Sequence, residues 1–170
     1  MDAVAIASAA VYALTATVTL AIIVAAAAAW WRPQLVPMHR LIFLSIAIAM
    51  INSELGGYTQ LLLVFFVLME RWRGFGRQAA IVMAYVLCIA LDIPIEQVPP
   101  VVRDSYLSGR EVIAQYYVGV GVFVRPVLVH LMILSLALVT IRDVWADARQ
   151  SGWRSPLARW REPAASGLAN

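Results

Sequence analysis

From Ala3 to Ala29 no side chain carries a charge, and from Gln115 to Ile141 only Arg125 does. As helices, both runs exceed the length needed to cross a hydrocarbon layer ~30 Å thick. A soluble domain has no comparable way to hide so much apolar surface, and 62% of the 170 residues are hydrophobic against 14% charged. The expected class is therefore an all-α integral membrane protein. The first run has Asp2 and no basic residue ahead of it, which predicts an uncleaved first span rather than a signal peptide.

Four apolar stretches organise the chain. The first span, about 5–29, ends in Trp30-Trp31-Arg32-Pro33, aromatic residues suited to an interface followed by a helix stop. The second stretch, 41–69, is interrupted by Asn52, Ser53, Glu54, Gly56-Gly57, Tyr58, Thr59 and Gln60. One straight helix over it would measure ~44 Å and carry polar groups around most of its circumference at mid-depth. A break at the glycine pair removes that conflict, because non-helical backbone at membrane depth is tolerated where protein or water covers it. A third span runs from about 79 to 95. Pro94, Pro99 and Pro100 then open an irregular connection to about 113, and the last span covers about 115–141. The expectation is three transmembrane helices plus a broken or re-entrant helical hairpin, with a four-span helical bundle as the alternative. Residues 1–141 form the membrane domain and 142–170 a basic cytoplasmic tail.

Charge sets the orientation. All 13 basic residues are arginine. If 41–69 crosses the membrane, eight loop arginines share the side of the C-terminus and four lie opposite. If it turns back, Arg32 and Arg40 change sides and the split is ten to two, with all six Trp on the arginine side. The hairpin fits the cytoplasmic excess of arginine better. Both versions place the chain in the cell inner membrane with its C-terminus in the cytoplasm.

The candidate polar site within the membrane comprises Glu54, with Asn52 and Tyr58 beside it, Arg125 and His130. Glu54 is 14 residues from Arg40 and 16 from Glu70, so it cannot reach either interface. A carboxylate at that depth has to be neutral, paired or wet, as in a proton or cation site, or in a salt bridge with Arg125. Arg125 precedes Pro126, whose missing N–H frees a carbonyl in the preceding turn. His130 is about 140° from Arg125 around a helix, so it stands apart; a hydrogen-bonded packing role is its default. His39, next to Arg40, reads as an interfacial anchor. In the tail Arg142, Arg149, Trp153, Arg154, Arg159, Trp160 and Arg161 alternate basic and aromatic character, as expected for an anionic membrane surface or a soluble partner.

Other chemistry is weakly represented. Cys88 is the only cysteine and His39 and His130 the only histidines, so no metal centre and no cofactor is expected. Ser108-Gly109-Arg110-Glu111 lacks the glycines of a phosphate loop, and no GxSxG pattern occurs. The arginines sit beside Trp and apolar spans, which favours lipid over nucleic acid as their partner. The leading functional expectation is a non-enzymatic subunit of a transport or permeation assembly, acting as a homo-oligomer or within a larger membrane complex. In size, topology and tail charge the chain also resembles the phage holins, which implies a pore-forming variant of that function. Two other classes are a membrane scaffold that recruits a cytoplasmic partner through its basic tail, and a membrane-embedded enzyme acting on lipid-linked substrates through Glu54 or His130.

Overall fold

The computed structural model of the chain describes residues 3–51, 57–89, 92–104 and 111–151. They form five α-helices and one two-stranded sheet: α1 Ala3–Trp31, α2 Met38–Met50, α3 Gly57–Leu68, α4 Phe75–Leu87, β1 Pro94–Asp104, β2 Glu111–Gly119 and α5 Gly121–Ser151. The fold is mostly helical. Two helices, α1 and α5, are long and apolar enough to cross a membrane.

Local signals explain most boundaries. Pro33 and Pro37 interrupt the ladder after α1. A short 3-10 turn over Pro33–Leu35 reverses the chain, and α2 begins directly after the extended Pro37. Gly74 has φ +82°, a conformation that disfavours any side chain, and it turns the chain into α4. The stretch 41–69 is two helices rather than one, and Glu54 and Asn52 in its connection lie outside the described residues.

Two corrections concern the other end. The connection after the third apolar stretch is an antiparallel hairpin rather than irregular chain, and it takes in Gln115, Tyr116 and Tyr117, which the sequence reading placed in the last helix. The prolines caused the misreading. A proline cannot donate to a ladder, but here Pro94, Pro99 and Pro100 fall where the register shifts, between Pro94 and Glu96 and between Val98 and Val101. In the partner strand, Val112-Ile113 and Tyr116-Tyr117-Val118 are β-branched and aromatic residues that favour strands. Helix α5 accordingly starts at Gly121, and it runs ten residues past Ile141 to Ser151, into what the sequence reading assigned to the tail. The third helix, α4, ends at Leu87, short of the expected 95.

Contacts fix the helix directions. Thr15 on α1 meets His130 on α5, and Arg32 meets Asp147; both pairs are 115 residues apart. The same offset at both points, ~26 Å apart along the helices, makes α1 and α5 parallel and in constant register. Arg40 at the start of α2 bonds Glu70, just beyond the end of α3, so α2 and α3 run antiparallel and return to one end. Ser135 on α5 donates to the Gly76 carbonyl in the first turn of α4 (2.7 Å), while Asp92 beyond α4 accepts the Gly121 N–H at the start of α5 (2.8 Å). Helix α4 is therefore antiparallel to α5. The five helices alternate in direction, with the ends of α1, α3 and α5 and the starts of α2 and α4 gathered together.

The main core is an apolar cluster drawn from all five helices, and a smaller one joins Ala29, Val36 and Val144. The main cluster includes Val18 and Ile22, Phe43 and Ala47, Leu63 and Val67, Ala80 and Ala84, and Met132, Ile133 and Leu136. Outside it the surface stays apolar: Leu20 and Ile23, Leu61 and Phe65, Phe75 and Tyr85, Phe123 and Leu138 are exposed. Only 17% of the most apolar window of α1 and 33% of that of α5 is buried, whereas the core helix of a soluble protein is mostly covered.

The α4–α5 crossing depends on Gly76, where an added Cβ would lie 2.5 Å from Val139 Cγ2. Gly76→Leu is expected to destabilise the protein by ~1–3 kcal/mol, as over-packing generally does. Adding Val139→Ala should recover part of that loss, and a double-mutant cycle of thermal midpoints measures the coupling. Purely additive effects would mean that the two helices do not meet there.

Candidate functional site

Where the five helices converge, the structure gathers charges that are scattered along the sequence. Arg40 is fully buried and grips Glu70 with two parallel bonds, Nε to Oε1 and Nη2 to Oε2, each 2.5 Å. Such a fork-to-fork pair is stronger than a neutral one because both partners are charged, and the planar guanidinium fixes its geometry. Arg77, in the first turn of α4, bonds Asp143 on α5 at 2.5 Å. Arg40 Nη1 reaches the same Asp143 oxygen at 3.4 Å, so two arginines and two carboxylates form a linked, locally neutral set. Beside it, buried Arg32 from the end of α1 pairs with Asp147, one turn after Asp143. Arg142 lies 3.7 Å from the outer oxygen of Asp143 and is mostly exposed.

Two nitrogens in this set are buried without a hydrogen bond, His39 Nε2 and Arg77 Nε. His39 Nε2 is 3.2 Å from Glu70 Oε1 but poorly aligned for a bond, and Arg77 Nε is 3.6 Å from Oε2, beyond bonding distance. A buried donor left in this way costs ~1–3 kcal/mol. Both border a cleft of about 590 Å³ whose lining also includes Gln34, Arg40, Glu70 and Arg71. What the arrangement can do chemically is lock helix ends together and present cationic groups at one opening.

The residues singled out from the sequence lie elsewhere. Tyr58 falls in the first turn of α3 with its side chain outside the described set, as are Glu54 and Asn52 altogether. Arg125 is half-buried near the start of α5, at the opposite end from the ionic set. Its Nε lies 3.0 Å, and Asp92 Oδ2 2.7 Å, from where a Cβ on Gly121 would stand, so the two charges flank that glycine. They line a small cavity of about 180 Å³ with Val86, Ile89, Val124 and Leu128. The structure does not bring Arg125 and His130 together. His130 faces α1, with Nδ1 2.7 Å from the Pro126 carbonyl and Nε2 3.3 Å from Thr15 Oγ1. Its two nitrogens are thus engaged if Nδ1 donates and Nε2 accepts. In the C-terminal part, Arg149 stacks on Trp145 at 5.5 Å, while Trp153, Arg154, Arg159, Trp160 and Arg161 lie outside the described residues.

The sequence reading missed Arg32, Arg40, Glu70, Arg77, Asp143 and Asp147 as a set, and took His39 for an interfacial anchor. One signal was available: Asp143 and Asp147 are one turn apart on the same helix face, two acids in a segment otherwise rich in arginine.

No protein family, curated protein or solved structure matches the chain. Among the described residues no group of three or more His, Cys, Asp or Glu could hold a metal ion.

The central pair makes a sharp stability prediction. Arg40→Met alone should destabilise the fold by ~3–5 kcal/mol, because it leaves Glu70 buried and uncompensated. Arg40→Met with Glu70→Leu should restore most of that loss. Equilibrium unfolding of the two variants separates these outcomes, and equal losses would show that Glu70 is solvated rather than dependent on Arg40.

Proposed function

We propose that the chain is an integral membrane protein, a non-enzymatic subunit of a transport or permeation assembly, in which α2 and α3 form a half-depth hairpin. The carrying observation is the Arg40–Glu70 clasp, which returns both hairpin ends to the same level. From Gly121 to Arg142 is 21 residues, ~32 Å along α5, close to the ~30 Å hydrocarbon thickness. Helices α2 and α3, with 13 and 12 residues, measure only ~20 and ~18 Å and cannot cross it.

A hairpin that stops inside the bilayer leaves helix-terminal carbonyls and N–H groups at its tip. In lipid these are tolerated only where protein or water covers them. A water-lined path or a neighbouring subunit meets that need, and an acid such as Glu54 in the connecting segment is the residue type that proton and cation paths use. Orientation follows from arginine placement. Arg32, Arg40, Arg71, Arg73, Arg77, Arg142 and Arg149 belong to the clasped end or the loops and helix that extend from it, which supports a cytoplasmic location for that end in the cell inner membrane. On this reading α1 and α5 are the full crossings, α4 with its following residues reaches the outer side, and the β-hairpin projects there.

Two measurements test the proposal. In a Cys88→Ala background, Gln34→Cys should react with an impermeant thiol reagent only after the cytoplasmic side is opened. Labelling in intact cells would reject the hairpin. In proteoliposomes Glu54→Gln should remove most proton or cation flux, whereas deleting 152–170 should leave it. A scaffold predicts the reverse. The deletion has to spare Asp143 and Asp147, since both hold the helix ends together.

A further inference from the structure

The cleft at the clasped end has features that neither helix packing nor the proposed permeation path requires. Its wall carries three arginines, Arg40, Arg71 and Arg77, with His39, against the single carboxylate of Glu70. That carboxylate is already matched by the two bonds from Arg40, and Asp143 matches Arg77, so the excess positive charge at the opening is that of Arg71. His39 and Arg77, each with one buried nitrogen that lacks a hydrogen bond, line this space, and the side chain of Arg71 is exposed at its edge. Helices α2 and α4 also begin at this end, and neither has a side-chain cap on its first N–H groups. Leu35 and Met69 supply an apolar margin beside the charged wall.

We propose that this cleft binds a phosphate oxyanion, supplied by the headgroup of an anionic phospholipid. A phosphate presents several acceptor oxygens around one centre, which suits donors converging from Arg71, Arg77 and His39. His39 contributes when its Nε2 carries the proton. The lipid source rests on the membrane reading, which sets the cleft at headgroup level on the arginine-rich side, where basic pockets between helices meet anionic lipids. The apolar margin fits the glycerol and first acyl carbons and has no counterpart in a site built for free phosphate.

The test uses the full chain purified in detergent and examined by native mass spectrometry with added phosphatidylglycerol or phosphatidylcholine. One retained phosphatidylglycerol is expected, with no comparable retention of phosphatidylcholine. Arg71→Gln should lower its occupancy several-fold, and Arg71→Gln with Arg77→Gln should abolish it. Arg73→Gln removes the same charge from an exposed position outside the cleft and should leave retention intact. Retention in the double variant, or equal loss in Arg73→Gln, overturns the proposal; Arg71 has no side-chain partner among the described residues, so its single variant reports binding rather than folding. Displacement by inorganic phosphate at equal concentration would assign the site to the free ion instead of the lipid. Alkaline carbonate extraction separates this inference from the membrane reading. A chain that stays in the membrane yet retains no phosphatidylglycerol defeats the inference alone, whereas a chain released by carbonate defeats the membrane reading, and with it the lipid source.

Discussion

The arrangement of the helices depends on one buried ion pair, Arg40 with Glu70. Neither partner lies inside a long apolar helix; each sits at a helix end, one at the start of α2 and the other just past α3. Closing that pair forces two short helices to run side by side and return to their starting level. It also leaves donor capacity on Arg40 for Asp143, which draws in α5, and Asp143 draws in α4 through Arg77. A pair of this kind contributes little net stability, because removing two charges from water offsets most of their attraction. Its effect is geometric. The charges are satisfied in one arrangement of the helix ends, and apolar packing, which tolerates sliding, supplies the bulk of the association.

The two ends of the molecule differ in kind. At the clasped end the charges neutralise one another in a shared network. At the far end polar groups act singly. Asp92 accepts the first N–H of α5, Arg125 lies beside it, and the strands form a sheet with two free edges. Between them Thr15 meets His130 across α1 and α5, and three other hydroxyls turn inward on their own helices. Thr17, Thr19 and Thr140 each donate to the carbonyl four residues earlier. The middle of the bundle is therefore held by shape and its clasped end by charge.

How much of this was legible in the sequence varies with the range of the interaction. The end of α1 at the Trp-Trp-Arg-Pro stretch and the interruption of 41–69 were readable, because proline and a polar, glycine-containing run act locally on the backbone. The hairpin of β1 and β2 was not, since three prolines read as breakers until a partner strand shows that they fall at register shifts. The ionic network was least readable. Glu70 is 30 residues from Arg40, and Asp143 is 103 from it, so no local pattern links them. Counting arginines recovers their excess at one end but not which of them are matched by acids.

The parallel pairing of α1 and α5 has a consequence for how the chain is made. Helix α1 leaves the ribosome well before α5, so the contacts 115 residues apart form only after the residues between them have been made. The Arg40–Glu70 pair, 30 residues apart, can close early. Asp143 and Asp147 emerge well after Arg32 and Arg77, which until then have not met these acids. On the membrane reading proposed above, the nascent chain thus carries a stronger positive bias during insertion than the finished protein keeps. Orientation would be decided by unmatched arginines, and the late acids would then neutralise part of the signal that placed them.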